Sequence, residues 1–465
     1  DSHAGSLGLA IFPPNGLEYI AAALRPHVRE LTLVDLRLPG PLRDVEKLKR
    51  FISDNCDLLC ISINWEYHFR EVCELVSQLP PEMVTVVGGQ QATDCVEEIF
   101  EACPNVDIIV RGEGEDTIAE IAQGKDWPHI LGISYRLQER IYHNANRPLG
   151  EVEGYNFPDR SLRSRDYSLN MGGFNLRGEQ FDMILTSRGC PYNCKFCTFN
   201  LNPWTQKRRY STRSIETVMT ELEQIKAGLI LIADENFFVN PARARKICDT
   251  IVERGIKKRF FVQARIEIFE HPEVLESAVK AGIKVMLLGI ESPTDRILEQ
   301  LNKGFDTDKV RLAFEVFRRF PLYYHGYFIY GNVSETDEEM LKIPVFAKEL
   351  GLDSITYQKL RVDKYSPLRE VVESDERYFI GDDRIVYRCG VGRQGLKKIS
   401  REITRKFYTP DQLYSIMRKL FAVGLFTGRN VPALLSSVPS VLSDMIGREY
   451  RKMVKRRKTA ILAKN

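Results

Sequence analysis

Short apolar segments of strand length alternate with segments of helical length in two separate runs along this chain. In the first run, strands are predicted at 31–38, from near Leu58, at 83–89 and at 106–115. Helices are predicted at 17–24, 69–79 and 95–103. Because strands that alternate with helices pair in parallel, the run indicates an α/β domain with a doubly wound sheet over 1–135. Only LGLAIF at 7–12 precedes the first helix, so we expect the opening strand to lie partly upstream of Asp1.

The second run predicts a partial barrel over 181–368. Its six strands are predicted at 182–187, 228–233, 259–264, 284–290, 323–330 and 353–359. Helices are predicted between them at 214–227, 242–255, 272–281, 307–319 and 337–350. In such a barrel of βα units, the chemistry lies at the carboxyl ends of the strands. The intervening residues 136–180 read as a linker after a hairpin at 131–143, and 369–465 as a helical C-terminal domain.

Composition narrows the class of protein. The chain has 465 residues, of which 43% are hydrophobic and 28% charged, with a net charge of +3. These values are ordinary for a globular protein, and the charge is too small to indicate a nucleic-acid partner. No apolar run reaches the length of a membrane span, and no signal peptide opens the sequence. Ten scattered cysteines suit a reducing cytoplasm, where a tight cluster of thiols is expected to bind metal.

Three of those cysteines stand close together in the loop after the first barrel strand. Cys190, Cys194 and Cys197 form the spacing C-x3-C-x2-C. Four thiolates are the usual ligand set of a 4Fe–4S cluster, so three thiolates leave one iron open for a substrate or cofactor. The alternatives are three unrelated buried thiols, or a zinc site with a remote fourth ligand.

The segment RGCPYNCKFC at 188–197 closely resembles the signature of the radical S-adenosylmethionine (radical SAM) superfamily. The resemblance implies that S-adenosylmethionine chelates the open iron and is cleaved reductively to a 5′-deoxyadenosyl radical. It also implies an external electron donor of the flavodoxin or ferredoxin type. Phe196, between the last two cysteines, stands where that superfamily places a residue against the adenine.

By the same resemblance, polar residues at four further strand ends are expected to hold S-adenosylmethionine. They are Glu235 and Asn236 in LIADENFF, Gln263 and Arg265 in FVQARIE, Glu291 and Ser292 in LLGIES, and Gly331 in GYFIYGNVSE. The last segment reads G-x-F-I-x-G-x-x-x-E, which is longer on both sides of Gly331 than the superfamily's G-x-I-x-G-x-x-E pattern. Each residue also has a plain alternative as a loop residue or helix cap.

Glycine turns follow the strands of the N-terminal domain, as they do where open parallel sheets bind cofactors. These strand ends resemble the cobalamin-binding, Rossmann-like domain found upstream of the barrel in class B methylases and anaerobic cyclases. The resemblance implies cobalamin contacts at Ser62, Asn64, Gly88, Gly89, Gln90, Arg111, Gly112 and Glu113, with the nucleotide tail among Ser62, Gly88, Gly89 and Gly112. Arg111 or Asn64 would approach the lower face. The alternative is that the glycines only permit tight turns.

The chain departs from the cobalamin pattern at one position. Domains that ligate cobalt from below carry D-x-H-x-x-G before the first helix, and here Gly16 matches the glycine while Pro13 stands in place of the histidine. His3 has the wrong spacing for that ligand. We therefore expect cobalamin without a histidine ligand, or else a domain that no longer binds it.

The function expected from these features is a cobalamin-dependent radical SAM C-methyltransferase acting on an unactivated carbon. Relatives that modify hopanoid lipids and tetrapyrroles imply a large apolar substrate. An apolar segment at 431–446 and a basic one at 448–458 allow peripheral contact with the inner membrane face, but a solvated final helix and frayed terminus is the preferred explanation. The rival functions are a radical SAM cyclase without methyl transfer, and a non-catalytic cobalamin- or cluster-binding sensor.

Overall fold

The computed structural model describes residues 12–64, 69–171, 174–197, 204, 206–208, 210–428 and 431. The N-terminal domain contains six helices and five strands within these residues. In chain order they are α1 Asn15–Leu24, α2 Val45–Asn55, β1 Leu58–Ser62, α3 Phe69–Val76, β2 Val84–Gly88, α4 Gln90–Asp94, α5 Val96–Ala102, β3 Ile108–Val110, α6 Glu115–Ala122, β4 Ile133–Leu137 and β5 Arg140–His143.

The N-terminal sheet has the order β1-β2-β3-β4-β5, with β1 to β3 parallel and the β4–β5 hairpin antiparallel. Alternate strand residues enter two cores because successive side chains point to opposite faces. Val87 and Ile109 pack under α3, α4 and α5, whereas Val86 and Ile108 pack under α1 and α6. Helices therefore cover both faces, as the sequence predicts.

The prediction of a strand at 31–38 is wrong. The described chain there is irregular and turns back on itself, with Leu38 N donating to Asp35 O at 3.0 Å. The Asp35 side chain accepts from Arg37 N at 3.0 Å and from the Tyr167 hydroxyl at 2.7 Å. Such local side-chain bonds offer the backbone an alternative to a strand ladder. Most of the strand expected at 7–12 lies outside the described residues.

The barrel run contains nine strands and seven helices within the described residues. They are β6 Ser168–Met171, β7 Phe174–Ile184, β8 Ser187–Arg188, β9 Ser211–Thr212, α7 Ile215–Gln224, β10 Leu229–Ile232, α8 Pro241–Glu253, β11 Arg259–Ala264, α9 Pro272–Ala281, β12 Ile283–Glu291, α10 Asp295–Gln300, α11 Thr307–Phe317, β13 Tyr323–Tyr330, α12 Asp337–Met340, α13 Ile343–Leu350 and β14 Ser354–Lys359.

Six parallel strands, in the order β14-β13-β12-β11-β10-β7, form the predicted partial barrel, and β6 pairs antiparallel with β7. Ile230 and Ile232 belong to the core beneath the barrel helices. Leu229 and Leu231 point the other way, into a second core that Leu420 and other C-terminal residues close. The alternating side chains of β10 thus cover both faces of the sheet. The carboxyl ends of the strands lie beside the cysteine loop.

The C-terminal part is helical with one small sheet. Its elements are α14 Leu368–Glu373, β15 Tyr378–Ile380, β16 Val386–Arg388, α15 Gly392–Phe407 and α16 Pro410–Ala422. The Thr409 hydroxyl accepts from Gln412 N at the start of α16, where Pro410 fits the first turn. The antiparallel pair β15–β16 was not expected from the sequence. No described helix has both the length and the apolar character of a membrane span, and 448–458 lie outside the described residues.

A buried network of ion pairs joins the two α/β domains through the segment between them. Its members are three acids and three arginines: Glu18, Asp182, Glu221, Arg160, Arg163 and Arg213. Arg163 donates to Glu18 of α1 at 2.5 and 2.8 Å, and to Asp182 of β7 at 2.9 Å. The network fixes how the N-terminal domain sits against the barrel.

Candidate functional site

The cysteine loop leaves the barrel after β8 and is held by backbone bonds. Lys195 N donates to Leu301 O at 3.0 Å, and Cys197 N donates to Cys194 O at 3.1 Å. Cys194 is buried, whereas Cys190 and Cys197 are partly exposed. None of the three is part of a disulfide, so all three sulfurs are available as ligands.

The donor set is chemically that of an iron–sulfur cluster, because the three candidate ligand side chains in this loop are all thiols. A cubane places each thiolate on a different iron, so its ligands surround it without meeting at one point. Arg265 Nη1 lies 3.4 Å from Cys194 Sγ, so a cation adjoins the place where the cysteines would hold the cluster.

Residues that follow β10, the second strand of the predicted barrel, hold the start of the cysteine loop through hydrogen bonds. Asp234 accepts hydrogen bonds from Thr186 N, Thr186 Oγ1 and Ser187 Oγ, each at 2.6 Å. Glu235 Oε2 accepts from Gly189 N at 3.0 Å, and burial raises the pKa of Glu235 to about 7. Asn236 is buried, and its Oδ1 accepts from Phe238 N at 3.2 Å.

The third strand end places a cation at the cysteines. Arg265 is buried and donates to Glu267 at 2.6 Å, while its guanidinium carbon lies 3.8 Å from the Tyr192 ring centroid. Gln263 holds the neighbouring strand end through its carbonyl, which accepts from Phe237 N at 3.0 Å. Of the two predicted residues, only Arg265 has a recorded contact with a cysteine.

The fourth strand end contains a buried ion pair. Glu291 Oε1 accepts from Lys303 Nζ at 3.0 Å, and both side chains are buried. Lys303 Nζ lies 5.6 Å from the Phe196 ring, so this pair adjoins the cysteine loop. Ser292 is fully buried, and its Oγ accepts from Thr294 N at 3.1 Å. Lys303 escaped the sequence analysis because it stands in a loop and not in a strand-end motif.

The turn after β13, the fifth strand of the predicted barrel, packs against α15. Gly331 has φ +78°, and a Cβ there would lie 3.1 Å from the Leu396 side chain of α15. Glu335 Oε2 accepts from Asn332 N at 2.9 Å and Asn332 Nδ2 at 3.0 Å. Ser334 of this turn accepts from Arg296 of α10 at 2.5 Å, and its backbone N donates to the Tyr378 hydroxyl of the C-terminal part at 2.9 Å. A cofactor role for Gly331 stays a prediction.

The predicted cobalamin edge is built from linked strand ends. Asn64 Nδ2 donates to Ser62 Oγ at 2.8 Å, and Asn64 Oδ1 accepts from Gln90 N at 3.2 Å. Between Gly88 and Gln90, Gly89 has φ +109°, and a Cβ there would lie 2.7 Å from Ile63 O. A side chain at Gly89 would therefore clash with the neighbouring strand end, which brings the backbone of these two turns together.

Arg111, Gly112 and Glu113 continue this edge but contact other parts of the protein. Arg111 is buried, donates to Ile133 O at 3.0 Å, and lies 3.8 Å from the ring centroid of Trp204, which the sequence analysis missed. Burial lowers the pKa of Arg111 to about 10. Gly112 N donates to Thr93 Oγ1 at 3.0 Å.

Glu113 accepts from Arg208 at 2.5 and 2.6 Å and from the Tyr155 hydroxyl at 2.8 Å. Its carboxylate is thus occupied by ion pairs between the domains. Pro13 is buried at the start of α1, and its carbonyl accepts from Asn15 N at 2.8 Å. Pro13 therefore adjoins the first helix, as the alignment on Gly16 supposes, and the absence of a histidine ligand to cobalt stays a prediction.

A cavity of about 230 Å³ opens where three parts of the protein meet: the cysteine loop, the N-terminal domain and the segment that follows β14. It is lined by Asp94, Asn193, Cys194, Lys195, Phe196, Cys197, Lys207, Asp363, Tyr365, Ser366 and Pro367. Asp94 ends α4 on the predicted cobalamin edge, so a single cavity borders both predicted cofactor regions. Asp94 and the residues after β14 were not expected from the sequence.

Comparisons with known families define the class of protein. The family model of the radical SAM superfamily matches residues 184–346, and that of the B12 binding domain matches residues 9–122. The chain is a radical SAM enzyme with an N-terminal cobalamin-binding domain, and its cofactors are a 4Fe–4S cluster, S-adenosylmethionine and cobalamin. These findings confirm the family resemblance, the fold class and the cofactors predicted from the sequence.

Similar curated proteins include methyltransferases and cyclases. The chain is 29% identical over 350 residues to an uncharacterized methyltransferase of Pyrococcus horikoshii, covering 73% of this chain and 74% of the relative. It is 28% identical to an anaerobic magnesium-protoporphyrin IX monomethyl ester cyclase of Synechocystis, covering 66% of this chain and 62% of the cyclase. It is 26% identical to the hopanoid C-3 methylase of Methylococcus capsulatus, covering 66% of this chain and 58% of the methylase.

Among solved structures, the methyltransferase TsrM of Kitasatospora setae superposes with a TM-score of 0.65 at 16% identity, covering 90% of this chain and 87% of TsrM. The cobalamin-dependent radical enzyme OxsB superposes equally well, at 0.65 and 15% identity, covering 94% of this chain and 78% of OxsB. These likenesses establish the shared fold.

Proposed function

We propose that this enzyme transfers a methyl group from cobalamin to an unactivated carbon of a small-molecule or lipid substrate. The observation that carries the proposal is the cavity bounded by Cys194 and Cys197 on one side and by Asp94 of the cobalamin-binding domain on the other. A substrate in this cavity would lie between the two cofactor regions. The substrate class expected from the sequence, a hopanoid, isoprenoid or tetrapyrrole, stays a prediction.

The chain's own residues would bind and orient the reacting groups. The thiolates of Cys190, Cys194 and Cys197 would bind three irons and leave the fourth for the amino and carboxylate groups of S-adenosylmethionine. Arg265 would stabilise the Cys194 thiolate, and Phe196 would lie against the adenine. When bound, the cofactors supply a 5′-deoxyadenosyl radical that abstracts hydrogen, and a methyl group for the resulting carbon.

A radical SAM cyclase is the second candidate because cyclases are among the similar proteins. The two functions differ in their products. Methyl transfer consumes S-adenosylmethionine in two ways, and yields S-adenosylhomocysteine beside 5′-deoxyadenosine. Cyclisation yields no S-adenosylhomocysteine.

The test uses enzyme reconstituted anaerobically with iron, sulfide and cobalamin, then supplied with S-adenosylmethionine, a flavodoxin-type reductant and candidate hopanoid, isoprenoid or tetrapyrrole substrates that can accept the methyl group. Mass spectrometry should detect both nucleoside products, and Cys194→Ala should abolish 5′-deoxyadenosine and cluster iron. Cys389→Ala, which removes an exposed cysteine far along the chain, is the matched control and should retain both. Formation of 5′-deoxyadenosine without S-adenosylhomocysteine would contradict methyl transfer.

A further inference from the structure

We propose that Asp94 is a specificity-determining residue that binds an ammonium or similar cationic nitrogen group of the substrate. The inference rests on the proposed function, in which the cavity beside the cysteines receives the substrate. Asp94 is the last residue of α4, five residues after the Gly89 turn, and is a carboxylate that the cobalamin-binding domain contributes to that cavity.

The neighbouring cations already have other partners. Asp363 accepts from Arg361 Nε at 2.9 Å and from Arg384 Nη1 at 3.1 Å. Lys364 donates to Glu98 at 3.2 Å. Arg384 also donates to Cys95 Sγ at 3.2 Å, beside Asp94 in the chain. The hydrogen bonds of these three cations thus go to other groups, and the cations act on Asp94 only through space.

Asp94 itself has no hydrogen bond or ion pair with any residue that the structure describes. It is only partly exposed, and burial together with Asp363 raises its pKa to about 6, although Arg384, Arg361 and Lys364 act against that rise. Near neutral pH its carboxylate is therefore mostly ionised, and the surrounding cations compensate its charge only in part. A ligand that brings a cation would relieve that penalty and form a charge-assisted hydrogen bond.

The rest of the lining defines the other half of the ligand. Tyr365 and Pro367 supply aromatic and apolar surface. Two lysines of the cysteine-loop side, Lys195 and Lys207, also line the cavity, and Lys207 donates its Nζ to Tyr192 O at 3.2 Å and also to Asn193. The cavity thus suits an apolar or aromatic body whose cationic nitrogen faces Asp94 of the cobalamin-binding domain. A pure hydrocarbon would leave the Asp94 carboxylate without a hydrogen-bond donor, and an anionic group placed beside Asp94 would be repelled by it.

The test compares three probes that share one ring and differ in charge: 2-phenylethylamine, 2-phenylethanol and phenylacetate. Equilibrium dialysis against the reconstituted holoenzyme should rank the amine first and the acid last. The separation should be about tenfold, as expected for one charge-assisted contact. Asp94→Asn should bring the three affinities to within about twofold of one another, a loss of most of that contact. Asp94→Ser should give the same result, which guards against a local effect of the amide.

The matched control is Asp54→Asn, which removes an exposed carboxylate from α2 of the same domain and should retain the ranking. A wild-type enzyme without charge preference, or a preference that survives in both Asp94 variants, would overturn the proposal. So would a loss of S-adenosylmethionine affinity in Asp94→Asn, because Asp94 would then belong to the cofactor site. Measuring 5′-deoxyadenosine in the same samples separates this outcome from failure of the proposed function, which would appear as no cleavage in the wild type.

Discussion

Arg163→Met should destabilise the protein strongly, because Arg163 neutralises two buried acids that belong to different domains. Glu18 and Asp182 are 0% and 3% exposed, and Arg163 donates two hydrogen bonds to each. Asp182 keeps Arg160 at 3.0 Å in the variant. Among the described residues, Arg163 is the recorded partner of the Glu18 carboxylate, so this group would remain buried and uncompensated.

The magnitude follows from the charges of the network. Three acids face three arginines in the native protein, and Arg163→Met leaves three acids facing two. Breaking a buried pair in this way costs about 3–5 kcal/mol of unfolding free energy. Adding Glu18→Gln restores two acids facing two arginines, so the double variant should be more stable than Arg163→Met by about 2 kcal/mol.

The assay is urea denaturation of the apoprotein, followed by tryptophan fluorescence. The matched control is Arg25→Met, which breaks the pair of Arg25 with Asp159 at 2.6 Å, where Arg25 is 46% exposed. A surface pair of this kind is worth about 0–1 kcal/mol. The reasoning is refuted if Arg163→Met costs no more than Arg25→Met, or if Glu18→Gln fails to rescue it.

Two further predictions concern the strand ends. Burial raises the pKa of Glu335 to about 7 from an ordinary value of 4.5, so the folded protein keeps this proton to higher pH than the unfolded chain does. The free energy of unfolding should therefore fall by roughly 3 kcal/mol between pH 4.5 and 7. Urea denaturation at several pH values should show this dependence in the wild type and not in Glu335→Gln. An unchanged dependence in Glu335→Gln would show that Glu335 is ionised in the fold. Arg265→Gln removes the cation 3.4 Å from Cys194 Sγ, so the reconstituted cluster should have a more negative midpoint potential by spectroelectrochemical titration; an unchanged or more positive potential would contradict the contact.

The barrel was predictable from sequence because its strands are apolar, uniform in length and separated by well-marked helices. The strand at 259–264 matches Arg259–Ala264, and the thiol spacing alone identifies the cysteine loop. The strand at 31–38 failed because its apolar alternation conceals Asp35, whose bonds to Arg37 and Tyr167 favour a turn. Tyr167 is 132 residues away, so no local pattern reveals that contact.

The site residues that sequence reasoning missed share one property: their roles arise from contacts between distant segments. Lys303 reaches Glu291 from a loop, Trp204 stacks on Arg111 across the domain boundary, and Asp94 enters the cavity from the end of a short helix. Each is an ordinary polar or aromatic residue in its own local sequence. By contrast, the three cysteines can be identified from the sequence because all of them stand in one loop with a characteristic spacing.

A salt bridge close to the first cysteine joins the two predicted cofactor regions. Arg188, two residues before Cys190, donates to Glu115 of the cobalamin-binding domain at 2.5 Å, and its guanidinium lies 5.0 Å from the Tyr19 ring and 4.9 Å from the Tyr155 ring. The loop that would bind the cluster therefore starts from a residue whose position is set by the other domain. In the proposed reaction, groups held by both domains have to be aligned, so this contact would matter as well as the cluster ligands themselves. The cobalamin-binding domain thus helps to position the residue from which the cysteine loop starts.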